Sequence, residues 1–411
     1  MNVEMKKGNL GKEPVSFKER EALADDILVR GVYEIIENSR GELRRRMLSE
    51  KLRVKFGTDP TSPNIHYGRA VPIMKLRDFQ KLGHQIVLII GDFTGEVGDS
   101  SDKESGRPML TKEQVRHNMT TYVEQVGHIL DIRKVELHYN SEWLASMGFD
   151  RVSRLADLFS VNEFTSRDII RRRLDTGQRV SVREFLYPLM QGYDSVAIKA
   201  DIELGGDDQR FNLLAGRTIQ DNFGLKKQMV LMTNLITGTD GRKMSSSWGN
   251  TINLRDKPTD MFGKVMSAKD EVMIEYFIHC TRVPLDEIEQ IRKNLKKGVV
   301  NPRDIKFQLA SVMTEQIFGE PAALEAGRHF NTVFQQKDVP DKIEEVEVSG
   351  SSNIVSVMIE AGVVKSKGEA RRLLSQKGVK IDGKTVDETF QVPDGALLQK
   401  GKRAFLRIKH G

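Results

Sequence analysis

The sequence predicts an α/β protein whose main part is a doubly wound parallel sheet, followed by a helical domain and a small α+β domain. Three observations carry this expectation. Short, unbroken apolar runs alternate with helical patterns between positions 50 and 235, the signature of a parallel sheet covered on both faces. At 411 residues the chain exceeds what one hydrophobic core sustains and suits two or three domains. The net charge of +6 lies wholly in 351–411, where twelve Lys/Arg face six Asp/Glu, while 1–350 carries 52 of each.

The elements follow in order. Apolar residues at helical spacing (Ala22, Ile27, Val32, Ile35) predict a helix over 19–38. Strands are expected at 52–56 and 85–90, with a helix between them over 67–81. A polar loop then runs from Gly91 to Pro108, ahead of a helix over 112–130. Further strands are expected at 135–139, 202–204 and 228–232, and a basic helical stretch at 161–183 (Arg167, Arg171, Arg172, Arg173, Arg179). Helices over 270–279, 285–295 and 301–318 form the second domain. Acidic 337–350 reads as a linker. Ser366 with Glu369 three residues on predicts a capping box opening a helix that carries Arg371, Arg372 and Lys377.

Composition narrows the function. The longest aliphatic run, Ile86–Ile90, is far short of the roughly 20 residues that span a bilayer. The first residues lack an apolar export signal, and one cysteine, Cys280, excludes internal disulfides and a multi-cysteine zinc site. A cytoplasmic protein is expected. A small basic module on a tether points to a polyanion, with nucleic acid the first choice.

In doubly wound sheets ligands bind beyond the carboxyl ends of the strands. The loops after Phe56, Ile90 and Leu204 are the richest in polar residues. The first holds Gly57, Asp59, Thr61, His66, Gly68 and Arg69, with Pro60 and Pro63 fixing a turn into a helix start. Backbone N–H groups and the helix dipole favour phosphate there, and Gly68 leaves room for a flat ring. A later glycine-rich loop, Gly238 to Asn250, joins Lys243 to three hydroxyls, Ser245, Ser246 and Ser247. Such a loop can close a cation onto a polyphosphate. Tyr187, Gln191 and Asp194, at i, i+4 and i+7, share one helix face with a phenol, an amide and a carboxylate. That set suits a zwitterion with a polar tail.

The order and spacing of these motifs resemble the class I aminoacyl-tRNA synthetases. His66 to Arg69 stand in the HIGH position and Lys243 to Ser247 in the KMSKS position. Gly91-Asp-Phe-Thr-Gly-Glu-Val-Gly-Asp99, Tyr187-Pro-Leu-Met-Gln191-Gly-Tyr-Asp194 and Glu203-Leu-Gly-Gly206-Asp-Asp208-Gln209 narrow the resemblance to the bacterial-type tyrosyl-tRNA synthetases, over about 25–411. The tail from Val355 to Val386 is similar to an S4 RNA-binding domain.

This resemblance implies an N-terminal helical segment (1–50), a Rossmann-like catalytic domain with an insertion (51–254), a helical anticodon-side domain (255–335), a linker (336–350) and an S4-like domain (351–411). It implies ATP-dependent activation of L-tyrosine to tyrosyl-adenylate, then transfer to the 3′ end of tRNA(Tyr), by a homodimer. Magnesium accompanies ATP, and no carboxylate cluster marks a fixed metal site. By similarity Tyr187, Gln191 and Asp99 hold the substrate ammonium, Asp194 meets its phenol and Gln209 positions its carboxylate. Gly57, Asp59, Thr61 and His66 lie near the ATP phosphates, Gly206 and Asp208 at the ribose, with Gly68, Arg69 and Ser245 to Ser247 also on ATP. Thr61, His66 and Lys243 stabilise the departing pyrophosphate. Lys365, Lys367, Arg371, Arg372 and Lys377 meet RNA, and 161–183 falls in an insertion near the dimer interface and the tRNA acceptor end. Cys280 reads as a packed thiol without chemistry.

Three positions depart from the pattern: Arg69 replaces the second histidine of HIGH, Ser246 the second lysine of KMSKS, and Lys55 a tyrosine that reads the phenol in one branch. Two further readings stay open on the residues alone: another aromatic amino acid as substrate, and a silent paralogue that binds structured RNA.

Overall fold

The computed structural model describes residues 16–99, 109–334, 343–350, 352–401 and 404–411. The chain forms two compact units, 1–327 and 328–411. In the first, strands β1 (Val32–Ile36), β2 (Arg53–Thr58), β3 (Gln85–Ile90), β4 (Val135–Tyr139), β5 (Ile202–Gly206) and β6 (Met229–Thr233) form one sheet in the order β1-β6-β5-β2-β3-β4. All neighbours are parallel except β1, which runs antiparallel to β6. The direction of winding reverses between β2 and β5, and the crevice at their carboxyl ends is where such a sheet binds ligands. β3 and β6 are buried almost throughout, because helices cover both faces and leave no polar side to alternate with.

The helix expected over 67–81 forms as Tyr67–Lys81, and those expected over 270–279, 285–295 and 301–318 form as Met273–Cys280, Leu285–Lys296 and Pro302–Phe318, preceded by an unforeseen helix, Pro258–Ser267. Cys280 is fully buried, and burial pushes its thiol up. Among the described residues, no helix is long and apolar enough to cross a membrane.

Four expectations need correction. The helix over 19–38 stops at Val29, and 32–36 is strand β1. Gly31 makes the break, at φ +61° with its α-carbon against His279, where a side chain would collide at 2.4 Å. The β-branched Val32, Ile35 and Ile36 then pair with β6. The 112–130 helix divides into Lys112–Met119 and Tyr122–Gly127 at Thr120 and Thr121. The 161–183 stretch divides into Val161–Thr165 and Asp168–Asp175, and Ser181 then caps a separate helix, Val182–Ala197.

The fourth correction concerns the linker. Residues 335–342 lie outside the described residues, but Glu344–Val348 is strand β7 of the second unit. That unit's sheet has the order β7-β11-β10-β8-β9, with β8 (Val379–Ile381), β9 (Lys384–Thr385), β10 (Leu397–Lys400) and β11 (Ala404–His410). β7 pairs in parallel with β11. Helices Ile354–Glu360 and Lys367–Ser375 supply Ile354, Val357, Met358 and Leu374 to a core shared with Val348, Val379, Leu398 and Ile408.

Candidate active site

The turn after β2 carries the first group. Pro60 and Pro63 steer the chain into helix Tyr67–Lys81, with His66 as its N-cap residue. His66 is buried, its Nδ1 has no partner, and its side chain does not cap the helix. Burial, then the cations Arg69 and Lys243, hold its pKa down to about 3. At neutral pH it is therefore an uncharged hydrogen-bonding group. Arg69 donates to Thr61 Oγ1 at 2.5 Å and to the Tyr122 hydroxyl at 3.0 Å. Gly68 sits close under the His66 ring: an added Cβ would meet it at 3.0 Å, a tight contact. Gly57 has open space above its α-carbon.

Gly68 also joins the two signature loops, because its N–H lies 3.3 Å from Met244 Sδ. The lysine loop is tightly tied. Lys243 bridges Thr237, the Met244 N–H donates to Ile236 O at 2.9 Å, and Met244 is buried. Asn250 donates to Lys243 O (3.0 Å) and Asp240 (2.8 Å), and accepts from the Ser245 N–H (2.9 Å). Asn250 and the Arg242 backbone and guanidinium hold the Asp240 carboxyl far below the usual range. Ser245 and Ser247 hydroxyls lie 2.9 Å apart, and Ser246 starts a single 3-10 turn ending at Trp248. Lys243 Nζ sits 3.2 Å from Asp208, which follows Gly206 at the end of β5. In this conformation Lys243 is presented from a backbone held by these hydrogen bonds.

A hydrogen-bonded chain forms the next group. The Tyr187 hydroxyl donates to Asp59 Oδ2 at 2.8 Å, and Thr94 donates to Asp59 Oδ1 at 2.7 Å. Asn140 donates to Thr94 at 2.9 Å and to Asp194 at 3.4 Å, and Trp143 Nε1 reaches the other Asp194 oxygen at 2.8 Å. Asp59 and Tyr187, expected at different substrates, therefore touch each other. Donation to Asp59 leaves the Tyr187 oxygen as an acceptor. Gly91 makes the approach possible, since its Cβ would lie 2.0 Å from Asp59 Oδ1. Asp194 is buried, and desolvation raises its pKa to about 7 despite Lys55 and the two donors. Beside this group, Gln209 donates to Asp99 at 2.8 Å and accepts from Asn212 at 2.9 Å.

Beside Gln191 lies an ion pair that the sequence did not announce. Lys55 Nζ is 2.8 Å from Glu203 Oε1, and both side chains are fully buried. Lys55 also donates to the Gln191 carbonyl and Ser195 Oγ, each at 2.8 Å. Glu203 accepts from Gln191 Nε2 at 3.1 Å, from Ser195 Oγ at 3.1 Å and from Gln228 Nε2. Thr94, Asn140, Trp143 and Glu203 are the supporting residues that sequence reasoning missed. Thr94 and Glu203 stood inside recognised motifs, while Asn140 and Trp143 carried no local signal beyond following β4.

In the insertion, Arg173 is not a surface cation but a buried partner of Glu184 at 2.6 Å, and Arg167 lies over the Phe211 ring at 4.9 Å. In the second unit, Lys365, Lys367, Arg371, Arg372 and Lys377 are all exposed. Ser366 caps the Lys367–Ser375 helix by accepting from the Glu369 N–H, while the Glu369 carboxylate reaches the Lys365 N–H at 3.0 Å, so the reciprocal half of the capping box is shifted by one residue. Arg371 pairs loosely with Glu388 at 3.1 Å.

Comparison with known proteins identifies the family. The family profile "tRNA synthetases class I (W and Y)" matches residues 47–335, and the S4 domain profile matches 354–398. A tyrosine–tRNA ligase of Thermotoga maritima is 48% identical, over 94% of this chain and 97% of its own length. One from Moorella thermoacetica is 44% identical, over 93% of this chain and 94% of its own. Two solved structures share the fold. A truncated mitochondrial tyrosyl-tRNA synthetase of Aspergillus nidulans has a TM-score of 0.62 at 22% identity, over 76% of this chain and 94% of that one. The Archaeoglobus fulgidus tyrosyl-tRNA synthetase, complexed with L-tyrosine, has a TM-score of 0.58 at 23% identity, over 76% and 100%. With both profiles in order along the chain and near-complete relatives at such identity, the chain belongs to the class I (W and Y) tRNA synthetases, in the bacterial tyrosine–tRNA ligase branch that carries an S4 domain.

Proposed function

We propose that this chain activates L-tyrosine with ATP and transfers the tyrosyl group to tRNA(Tyr). The observation that carries the amino-acid assignment is Asp194: a buried carboxylate with one donor on each oxygen, and lone pairs left for a phenol. Phenylalanine offers that carboxylate no hydrogen. Tyr187, Gln191 and Asp99 take the ammonium group, and Gln209 orients the substrate carboxylate. A carboxylate oxygen attacks the α-phosphorus of ATP, the bond to the β-phosphate oxygen breaks, and pyrophosphate leaves. Because the protein forms no covalent bond, its contribution is positioning and charge stabilisation. Thr61, His66 and Lys243 stabilise the pyrophosphate side, Lys243 leaving Asp208 as phosphate arrives. Gly206 and Asp208 lie at the ribose, Gly57, Asp59, Gly68 and Arg69 along the nucleotide, and Ser245, Ser246 and Ser247 beside the phosphates. A hydroxyl of the tRNA 3′-terminal ribose then attacks the tyrosyl carbonyl and AMP departs.

Magnesium enters with ATP as part of the substrate. The proposed organisation keeps 1–50, 51–254, 255–335 and 351–411 as functional segments of a cytoplasmic homodimer, with RNA met by Lys365, Lys367, Arg371, Arg372 and Lys377. Exposed Val161, Leu174 and Val182 in the 161–183 stretch support a subunit contact there. The deciding experiment is pyrophosphate exchange into ATP with tyrosine and phenylalanine side by side. Exchange with tyrosine alone is expected; exchange with neither, or equally with both, rejects the reading.

A further inference from the structure

We propose that Glu203, held by Lys55, is the positioning residue that fixes the polarity of Gln191 and so makes the pocket select an ammonium group. The proposal rests on the reading of Gln191 as an ammonium ligand. An amide side chain offers a donor end and an acceptor end of the same size, and its neighbours decide which faces a ligand. At Gln191 the decision is complete. Glu203 is acceptor-only when ionised, and it takes Gln191 Nε2 at 3.1 Å. Among the described residues Gln191 Oε1 has no recorded partner, and it is not a buried orphan, so the acceptor end is the one left accessible. A carbonyl oxygen in that place binds –NH3+ and repels an anion.

The pair also fixes the main chain of the same residue, because Lys55 Nζ donates to Gln191 O at 2.8 Å. Glu203 cannot turn away. Its Oε1 receives Lys55 and Gln191, and its Oε2 receives Ser195 and Gln228. Gly216 leaves space for this cluster: a Cβ there would stand 2.5 Å from Gln228 Nε2 and 3.3 Å from Glu203 Oε2. The same logic operates at Tyr187, whose hydroxyl is committed to Asp59 and so presents its oxygen as an acceptor. Lys55, a departure when read against the phenol, thus acts at the opposite pole of the substrate: it holds the Glu203 carboxylate in its seat.

The test uses the full-length chain and two probes that each keep the phenol and one of tyrosine's two charged groups. Tyramine carries the ammonium without the carboxylate, and 3-(4-hydroxyphenyl)propionate carries the carboxylate without the ammonium. Their inhibition constants are measured in the tyrosine exchange assay, or their Kd by calorimetry. Glu203→Gln lets both amides flip but leaves Lys55 charged and less well paired, so the double variant Lys55→Gln/Glu203→Gln, which buries no lone ion, is made beside it. In both, tyramine should weaken about tenfold or more, as for loss of one hydrogen bond to a charged group, while 3-(4-hydroxyphenyl)propionate stays within twofold. Equal weakening of both probes, or of neither, overturns the role of Glu203. Gln191→Met separates this from the parent reading. A selective tyramine loss in that variant keeps Gln191 at the ammonium whatever Glu203 does. An unselective loss removes Gln191 from that position and the proposal with it.

Discussion

Replacing Asp194 by asparagine should make the free protein more stable and the enzyme worse. Burial raises the Asp194 pKa from 3.8 to about 7 in the fold. The folded state therefore holds that proton more tightly than the unfolded chain does. Stability falls as pH rises from about 4 to about 7 and stays lower above it, by about 4 kcal/mol in total from this group. Asparagine is isosteric and uncharged, so at pH 8 it removes this cost. Its oxygen can keep Trp143, but its NH2 then faces Asn140 Nδ2, now 3.4 Å from Asp194, and losing that weak bond returns about 1 kcal/mol. A net gain of about 2–3 kcal/mol at pH 8 and close to none at pH 5 follows. Urea unfolding of the ligand-free wild type and Asp194→Asn at the two pH values measures it. Tyrosine-dependent exchange at pH 8 should meanwhile fall by about a hundredfold, since the phenol meets an amide in place of a carboxylate. A variant equally shifted at both pH values, or less stable at pH 8, would refute the account of a desolvated charge kept for recognition.

If Lys243 stabilises the departing pyrophosphate as proposed, Lys243→Ala should lower exchange kcat about 100-fold or more with the KM for tyrosine within twofold. A raised tyrosine KM at unchanged kcat would contradict its place on ATP. Arg69→Met removes one of the two cations that depress His66, whose pKa should rise without reaching 6.5 because burial is the larger cause; NMR titration follows it. The freed Thr61 hydroxyl should raise the KM for ATP about tenfold. Truncation after Phe334, rather than at 351, removes the second sheet whole, since β7 pairs with β11. It should leave exchange nearly intact, abolish efficient tRNA charging and flatten the salt dependence of that step. Equal loss of exchange and charging would count against separate modules.

Much of the catalytic unit was legible because its signals are local. Ile86–Ile90 has no polar interruption, and the HIGH-like and lysine loops declare themselves by proline, glycine and hydroxyl spacing. β1 was misread because Val32 and Ile35 fit a helical period as well as a strand, and only Gly31 against His279 decides between them. β7 was misread because Val348 is its one buried residue, and the strand that completes it, β11, lies at the other end of the unit. The supporting residues share that limit. Asn140 stands 54 positions from Asp194, and Lys55 stands on β2 while Glu203 stands on β5, with the fold alone bringing them together. Arg173 looked like part of a basic surface until Glu184, 11 positions on, turned inward with it.

The fixed backbone around Lys243 has a kinetic consequence. Asn250, Thr237 and buried Met244 hold the lysine's main chain before any nucleotide arrives. On the proposed reading, its travel from Asp208 to phosphate needs only a swing of rotatable methylenes, on the picosecond-to-nanosecond scale of exposed side chains. The ordering entropy was lost when the chain folded, so thickening the solvent should leave the activation step unslowed.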